Sequence, residues 1–138
     1  MSQPTNQQAG ELFDWLAQGD CDEFLSGCAG DLVLAARGVE PATTYVSKSE
    51  IADWYLSLES LVGATIHTEA EVVRVEGTKT VILLRHEFER DGVTHSFAMV
   101  NICTFREHLL ATWTTYPLNL PDYANALGIH RALVPQLV

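Results

Sequence analysis

The stretch Thr80-Val-Ile-Leu-Leu-Arg-His-Glu-Phe-Glu-Arg-Asp-Gly-Val-Thr-His-Ser-Phe-Ala-Met-Val-Asn-Ile-Cys-Thr-Phe-Arg106 decides the fold. Its pattern repeats every two residues, the period of a strand. Over 80–89 the even positions are Thr80, Ile82, Leu84, His86 and Phe88, and the odd ones are Val81, Leu83, Arg85, Glu87 and Glu89. The even set is the more apolar, which predicts that it faces inward and carries His86 with it. Asp91-Gly92 is a strong hairpin signal. Beyond it, over 94–106, His95, Phe97, Met99, Asn101, Cys103 and Phe105 share one face. Their bulk predicts that this face is also inward, which puts Asn101 between Met99 and Cys103. The smaller aliphatic face of the same strand is left to cover the other side of the sheet, as a dimer interface would.

Two further strands flank this pair. Residues 65–75 alternate and close on Glu76-Gly77, and 109–116 follow a turn at Glu107-His108. Strands this long, in sequence and joined by short turns, predict an antiparallel meander. In the last one, Trp113 and Thr115 are read as concave. Pro117 and Pro121 end the sheet, and 122–127 predict a helical turn.

Ahead of the meander the period is mostly 3.6. Residues 6–18 predict a helix with Ala9, Leu12, Phe13 and Leu16 as its apolar stripe. Trp15 flanks that stripe and is read as a roof for the pocket, while Asp14 falls on the opposite, solvent side. Gly19 ends the helix. Asp20 and Glu23 cap a second one, whose buried side is Phe24, Leu25 and Cys28. Residues 31–37 predict a strand, and 38–46 a loop or short edge hairpin. Ser47 and Glu50 form a capping box for a third helix, with Ile51, Trp54, Tyr55, Leu58, Leu61 and Val62 at helical spacing and Gly63 as its stop.

A twisted sheet that curls around about three helices solves the burial problem this order poses. The expected fold is therefore α+β: one domain over 1–138, a cone-shaped curved antiparallel sheet wrapped around the helices, with one apolar pocket. Residues 1–6 and 130–138 are expected to be loose or extended ends.

Composition narrows the function. The net charge is -10 and the pI about 4.7, which argues against nucleic acid and anionic membrane surfaces as partners. No run of 18 apolar residues occurs, and the polar N-terminal stretch does not read as a signal peptide. Three cysteines without a CxxC pair fit reduced thiols in the cytoplasm. The histidines lack metal-ligand spacing, and no phosphate-cradling or nucleophile-elbow motif is present. No metal and no cofactor is expected.

Three polar groups remain as candidates. Asn101 is either a structural amide or a donor to a ligand oxygen. His86 is either a core or rim histidine or a general acid–base. Tyr55 is either packing or a phenol directed into the pocket. Trp15, Trp54, Leu84, Phe97, Met99, Cys103 and Trp113 are the expected apolar walls.

The order of elements resembles the nuclear transport factor 2-like superfamily, which includes ketosteroid isomerases, SnoaL-like polyketide cyclases, scytalone dehydratase and limonene epoxide hydrolase. Gln18-Gly-Asp20 resembles the x-G-D between the first two helices. Ala29-Gly-Asp31-Leu-Val-Leu resembles the A-D-D-x-x-x entry to the first strand. Ser49-Glu-Ile-Ala-Asp-Trp-Tyr55 resembles x-x-I-x-x-F-Y, and Val100-Asn-Ile-Cys-Thr-Phe105 with Glu107-His108 resembles I-D-V-x-R-F-D-E-H. The resemblance implies a cystatin-like, ketosteroid isomerase-like cone that often dimerises through its outer sheet face. It places the isomerases' proton-shuttling Asp at Ala36 and their oxyanion-hole Tyr at Leu12. It places the oxyanion-hole Asp at Asn101 and the supporting Tyr at Tyr55. Donors are thus implied without the base. The expectation is a SnoaL-like pocket protein for a small apolar ligand. It would be either a cofactor-independent lyase, isomerase or cyclase using His86 with Asn101 and Tyr55, or a non-catalytic binding or dimeric interaction module.

Overall fold

The computed structural model describes residues 6–37, 44–77, 79–119 and 121–123 of the chain. Its elements are α1 (Asn6–Ala17), α2 (Cys21–Ser26), β1 (Val33–Ala36), β2 (Thr44–Ser47), a 3-10 turn (Lys48–Glu50), α3 (Ile51–Val62), β3 (His67–Glu76), β4 (Lys79–Arg90), β5 (Val93–Arg106) and β6 (Leu109–Pro117). One six-stranded sheet has the order β2-β1-β6-β5-β4-β3. The meander β3–β6 is antiparallel throughout, and β1 joins it by parallel pairing to β6.

The inward parity expected for 80–106 holds. Ile82, Leu84, His86 and Phe88 on β4, and Phe97, Met99, Asn101, Cys103 and Phe105 on β5, are all buried. The register explains why: Ile82 lies opposite Asn101, Leu84 opposite Met99 and His86 opposite Phe97, so both strands turn the same side to the helices. Register shifts at Val72/Arg74 and Thr104/Phe105 add the local twist by which a sheet curls. Asp91-Gly92 takes positive φ at both residues, as a tight hairpin of matching twist needs. Glu107-His108 does the same without a glycine.

The core fills the concavity. Phe13 of α1, Phe24 of α2 and Trp113 of β6 meet edge to face, with centroids 5.3–5.4 Å apart. Trp54 of α3 stands edge-on to Trp113 at 6.4 Å. A Cβ at Gly27 would lie 2.6 Å from a Leu12 methyl, so α1 and α2 approach closely there and that side chain would have to shift to admit one. Asp20 caps α2 by accepting from the Glu23 N–H, and the Glu50 carboxylate accepts from both the N–H and the hydroxyl of Ser47. Those Ser47 bonds hold the Glu50 carboxyl below its usual range.

Several sequence expectations shift. The edge-hairpin alternative for 38–46 is the one realised in part: Thr44–Ser47 pairs antiparallel with β1, while 38–43 lie outside the described residues. The helical turn expected at 122–127 is seen at 121–123, and its remainder lies outside them; so do the expected loose ends 1–6 and 130–138, save that Asn6 opens α1. The side chains of Leu58, Leu61 and Val62 lie outside them as well. Among the described residues no helix is long and apolar enough to cross a membrane.

Candidate functional site

Thr68, His86 and Phe97 stand in one row across β3, β4 and β5. All three point into the cone. His86 is 3% exposed, and its ring centroid lies 4.8 Å from that of Phe97. Its Nδ1 is 2.8 Å from the Thr68 hydroxyl. The Tyr55 hydroxyl, reaching down from α3, donates to Thr68 Oγ1 over 3.4 Å. The Thr68 hydroxyl thus links the Tyr55 phenol, from which it accepts, to His86 Nδ1. Nε2 has no hydrogen-bond partner among the described residues.

Burial sets the charge of this row. It pushes the His86 pKa down from 6.5 to about 4, so the ring is neutral near pH 7. It also pushes the Tyr55 phenol up, against a smaller lowering effect of Thr68. The result is three uncharged groups in series, ending on a ring that lines open space.

That space is a cleft of about 610 Å³, well within the range of small-molecule sites. Its walls are the turn after α1 (Ala17, Gln18, Gly19, with Cys21), the α3 side chains Tyr55, Leu56 and Glu59, and the entry to β3 from Thr65 to Glu69; His86 is its floor. Burial, then Asp22 and Asp20, push the Cys21 thiol up, so it lines the wall as a thiol.

The expected apolar walls form a second, deeper chamber. Trp54, Leu84, Phe97, Met99 and Trp113 enclose it with Tyr55, His86 and Asn101, but their rings fill it to about 20 Å³. Tyr123 closes it with its ring edge-on to Phe97 at 5.6 Å. The alternation correctly gathers these side chains; the open volume lies beside them, toward β3.

Three expected site residues take other positions. Trp15 roofs neither space. It is 40% exposed and borders a separate surface cleft with Glu11, Glu23 and His108, because the α1 stripe turns Leu12, Phe13 and Leu16 inward instead. Cys103 is fully buried in the packed core, with burial pushing its thiol far up, and lines neither space. Asn101 borders the deep chamber but has nothing left to donate. Its Oδ1 accepts from the Trp113 indole N–H at 2.7 Å, which fixes the amide orientation because an indole can only donate. Both of its N–H groups then go to the Ile82 and Met99 carbonyls at 3.1 Å. Asn101 and His86 are also four pairs apart on the ladder, about 13 Å along the strand. They cannot serve one reacting atom. Of the two readings of Asn101, the structural amide is the one these bonds fit.

Ala36 and Leu12, where a base and an oxyanion donor are implied by resemblance, both pack against or within the core. Thr68 escaped the sequence reading. Its signal was available: alternation in 65–75 puts Thr68, Ala70 and Val72 on one face, and Thr68 is the polar one. Among the described residues no three His, Cys, Asp or Glu side chains gather as a metal site requires.

No protein-family model matches the chain, and no curated protein matches it. Solved structures do. TerC, co-crystallised with polyporic acid, aligns at a TM-score of 0.72 with 12% identity, covering 88% of this chain and 96% of that one. A protein of unknown function from Burkholderia pseudomallei K96243, described as nuclear transport factor 2-like, aligns at 0.70 with 12% identity over 90% and 98%. A candidate SnoaL-like polyketide cyclase from Mesorhizobium loti aligns at 0.60 with 16% identity over 80% and 96%. The chain has the nuclear transport factor 2-like, cystatin-like fold.

Proposed function

We propose that this protein binds a small, largely apolar compound in the cleft between α3, the α1–α2 turn and β3. A carbonyl or similar acceptor on the ligand would be held by His86 Nε2–H. The observation that carries this reading is the buried row Tyr55–Thr68–His86 with its unpartnered end at open space. A ligand oxygen in the cleft that His86 lines would give Nε2 a hydrogen-bond partner. The co-crystallisation of TerC with polyporic acid lends support from a protein of the same fold.

Binding is favoured over turnover by what surrounds the ring. A histidine with a pKa of about 4 is a weak base. Asn101 is fully engaged, and the positions implied for the isomerase base and donor are Ala36 and Leu12. A cofactor-independent lyase, isomerase or cyclase reading would rest on His86 Nε2 and Tyr55 alone.

A thermal-shift screen with aryl ketones, quinones and steroid ketones tests the proposal. At least one compound should stabilise the wild-type protein, by about 2.7 kcal/mol at a hundredfold excess over its Kd. His86→Leu should weaken that compound about tenfold, the worth of one hydrogen bond. Stabilisation by none of the compounds, or equal binding by the variant, would count against it.

We also propose that two copies pair through the outer sheet face. Val81 lies opposite Ile102 and Leu83 opposite Val100, and these four half-exposed side chains make a continuous uncharged patch. With a net charge of -10, such a patch is where two copies meet with least repulsion. Sedimentation should give a dimer that Leu83→Glu converts to a monomer; a wild-type monomer at working concentration would sink the idea. Free thiols at Cys21, Cys28 and Cys103 fit a reducing, cytoplasmic setting.

A further inference from the structure

The deep chamber is closed by a residue from outside the sheet and α3. Its other walls stand on α3, β4, β5 and β6, where ladder pairing sets Leu84 opposite Met99 and Asn101 opposite Thr115. Tyr123 comes instead from the helical turn at 121–123, beyond the last strand. The chain leaves the sheet beside the chamber, because Pro117 lies opposite Met99. The Leu118 N–H then donates to the Ala98 carbonyl at 2.9 Å, which ties the root of the turn to β5. Asn119 shapes the turn from within. Its carbonyl accepts from the Tyr123 N–H at 3.1 Å, and its Oδ1 accepts from the Asp122 N–H at 3.0 Å. The Tyr123 ring is thereby laid, half-buried, against Phe97 and its neighbours Phe88 and Met99.

Behind that ring is a place suited to another ring. Trp54, Leu84, Phe97, Met99 and Trp113 give it an apolar surround. Asn101 is engaged with three partners, the Trp113 indole with Asn101, and the Tyr55 phenol with Thr68. A charged guest would give up its water there without return. An apolar ring would refill the contacts that Tyr123 gives up on leaving. A dry cavity of about 150 Å³ holds a benzene-sized guest; with Tyr123 in place about 20 Å³ is open. One side chain therefore decides whether the chamber is available. Tyr55 and His86 line both the chamber and the cleft, so an opened chamber extends the space beside them.

We propose that Tyr123 is a gate on the deep chamber, set in the closed position by the turn that Asn119 organises, and that an uncharged apolar ring displaces it. The guest acts by population shift, since only the open form can hold it. The proposal goes beyond the cleft reading and does not depend on it.

Met99 supplies the readout. It lines the chamber and not the cleft, and the one other methionine is Met1. The whole protein, with labelled methionine methyls, is titrated with toluene and separately with benzoate. In Tyr123→Ala, toluene should shift the Met99 methyl signal saturably, with an apparent affinity about tenfold or more above wild type, because the closed form no longer competes. Asn119→Ala keeps the ring but removes the acceptor of the Asp122 N–H; its affinity should fall between the two, about 2- to 5-fold above wild type. It also keeps the test open should Tyr123→Ala fold poorly. Benzoate should leave Met99 unmoved in all three proteins. Equal toluene affinity in all three, a Met99 signal that toluene moves in neither variant, or benzoate acting as strongly as toluene overturns the inference and leaves the cleft reading as it was.

Discussion

Trp113→Ala should cost about 5 kcal/mol or more of folding stability, from two additive sources. The first is a large cavity at the meeting point of Phe13, Phe24 and Trp54, where Trp113 is 2% exposed. Removing such a ring typically costs about 3–5 kcal/mol. The second is the Asn101 Oδ1, which loses its donor in a site that water does not reach. An orphaned buried acceptor costs about 1–3 kcal/mol. A domain of this kind has only about 5–15 kcal/mol in total. Denaturant titration would read the loss directly, and one under about 2 kcal/mol would contradict the packing described. Trp113→Phe separates the two terms. It keeps a ring in place but leaves Asn101 unpaired, so the loss should shrink to little more than the hydrogen-bond term.

The second large effect is on pH dependence. His86 has a folded pKa of about 4 against 6.5 for an ordinary histidine, because its buried ring resists charge. The unfolded chain therefore takes up a proton first as the pH falls. The stability due to the neutral ring is complete above pH 6.5 and is lost progressively down to about pH 4. The full span is worth about 3 kcal/mol. Many carboxylates titrate at the lower end of that window, so the useful quantity is a difference. His86→Gln should show a shallower fall between pH 6.5 and 5 than the wild type. Identical slopes in the two proteins would mean that His86 is not buried as described.

The fold was legible because its deciding strands alternate over long stretches. A one-residue slip in 80–106 would have moved Ile82, Leu84, Phe97 and Met99 to solvent, so the pattern admits one register face. Asp91-Gly92 then fixes where the chain turns. The parallel pairing of β1 with β6 was not legible, since four residues of mixed burial carry no information on their neighbour. The site was legible only in part, for a related reason. Parity tells which residues face inward, and it brought His86, Phe97, Met99, Asn101 and Trp113 together. It does not tell how much room their rings leave, nor which polar groups satisfy one another. Asn101 looked like a donor because its partners, Trp113 and two backbone carbonyls, lie on other strands or use atoms that sequence does not mark. The open volume falls instead where α3 meets the start of β3, a junction set by helix placement.

The central claim is that the Tyr55–Thr68–His86 row is the polar end of a ligand site. Its most direct test is the imidazole nitrogen NMR signal of His86, followed during titration with the best-stabilising carbonyl compound. The account predicts a neutral ring with its proton on Nε2 in the free protein, and a saturable shift of that Nε2 signal as the ligand oxygen accepts from it. A His86 signal that stays unmoved while the compound saturates the protein would contradict the account.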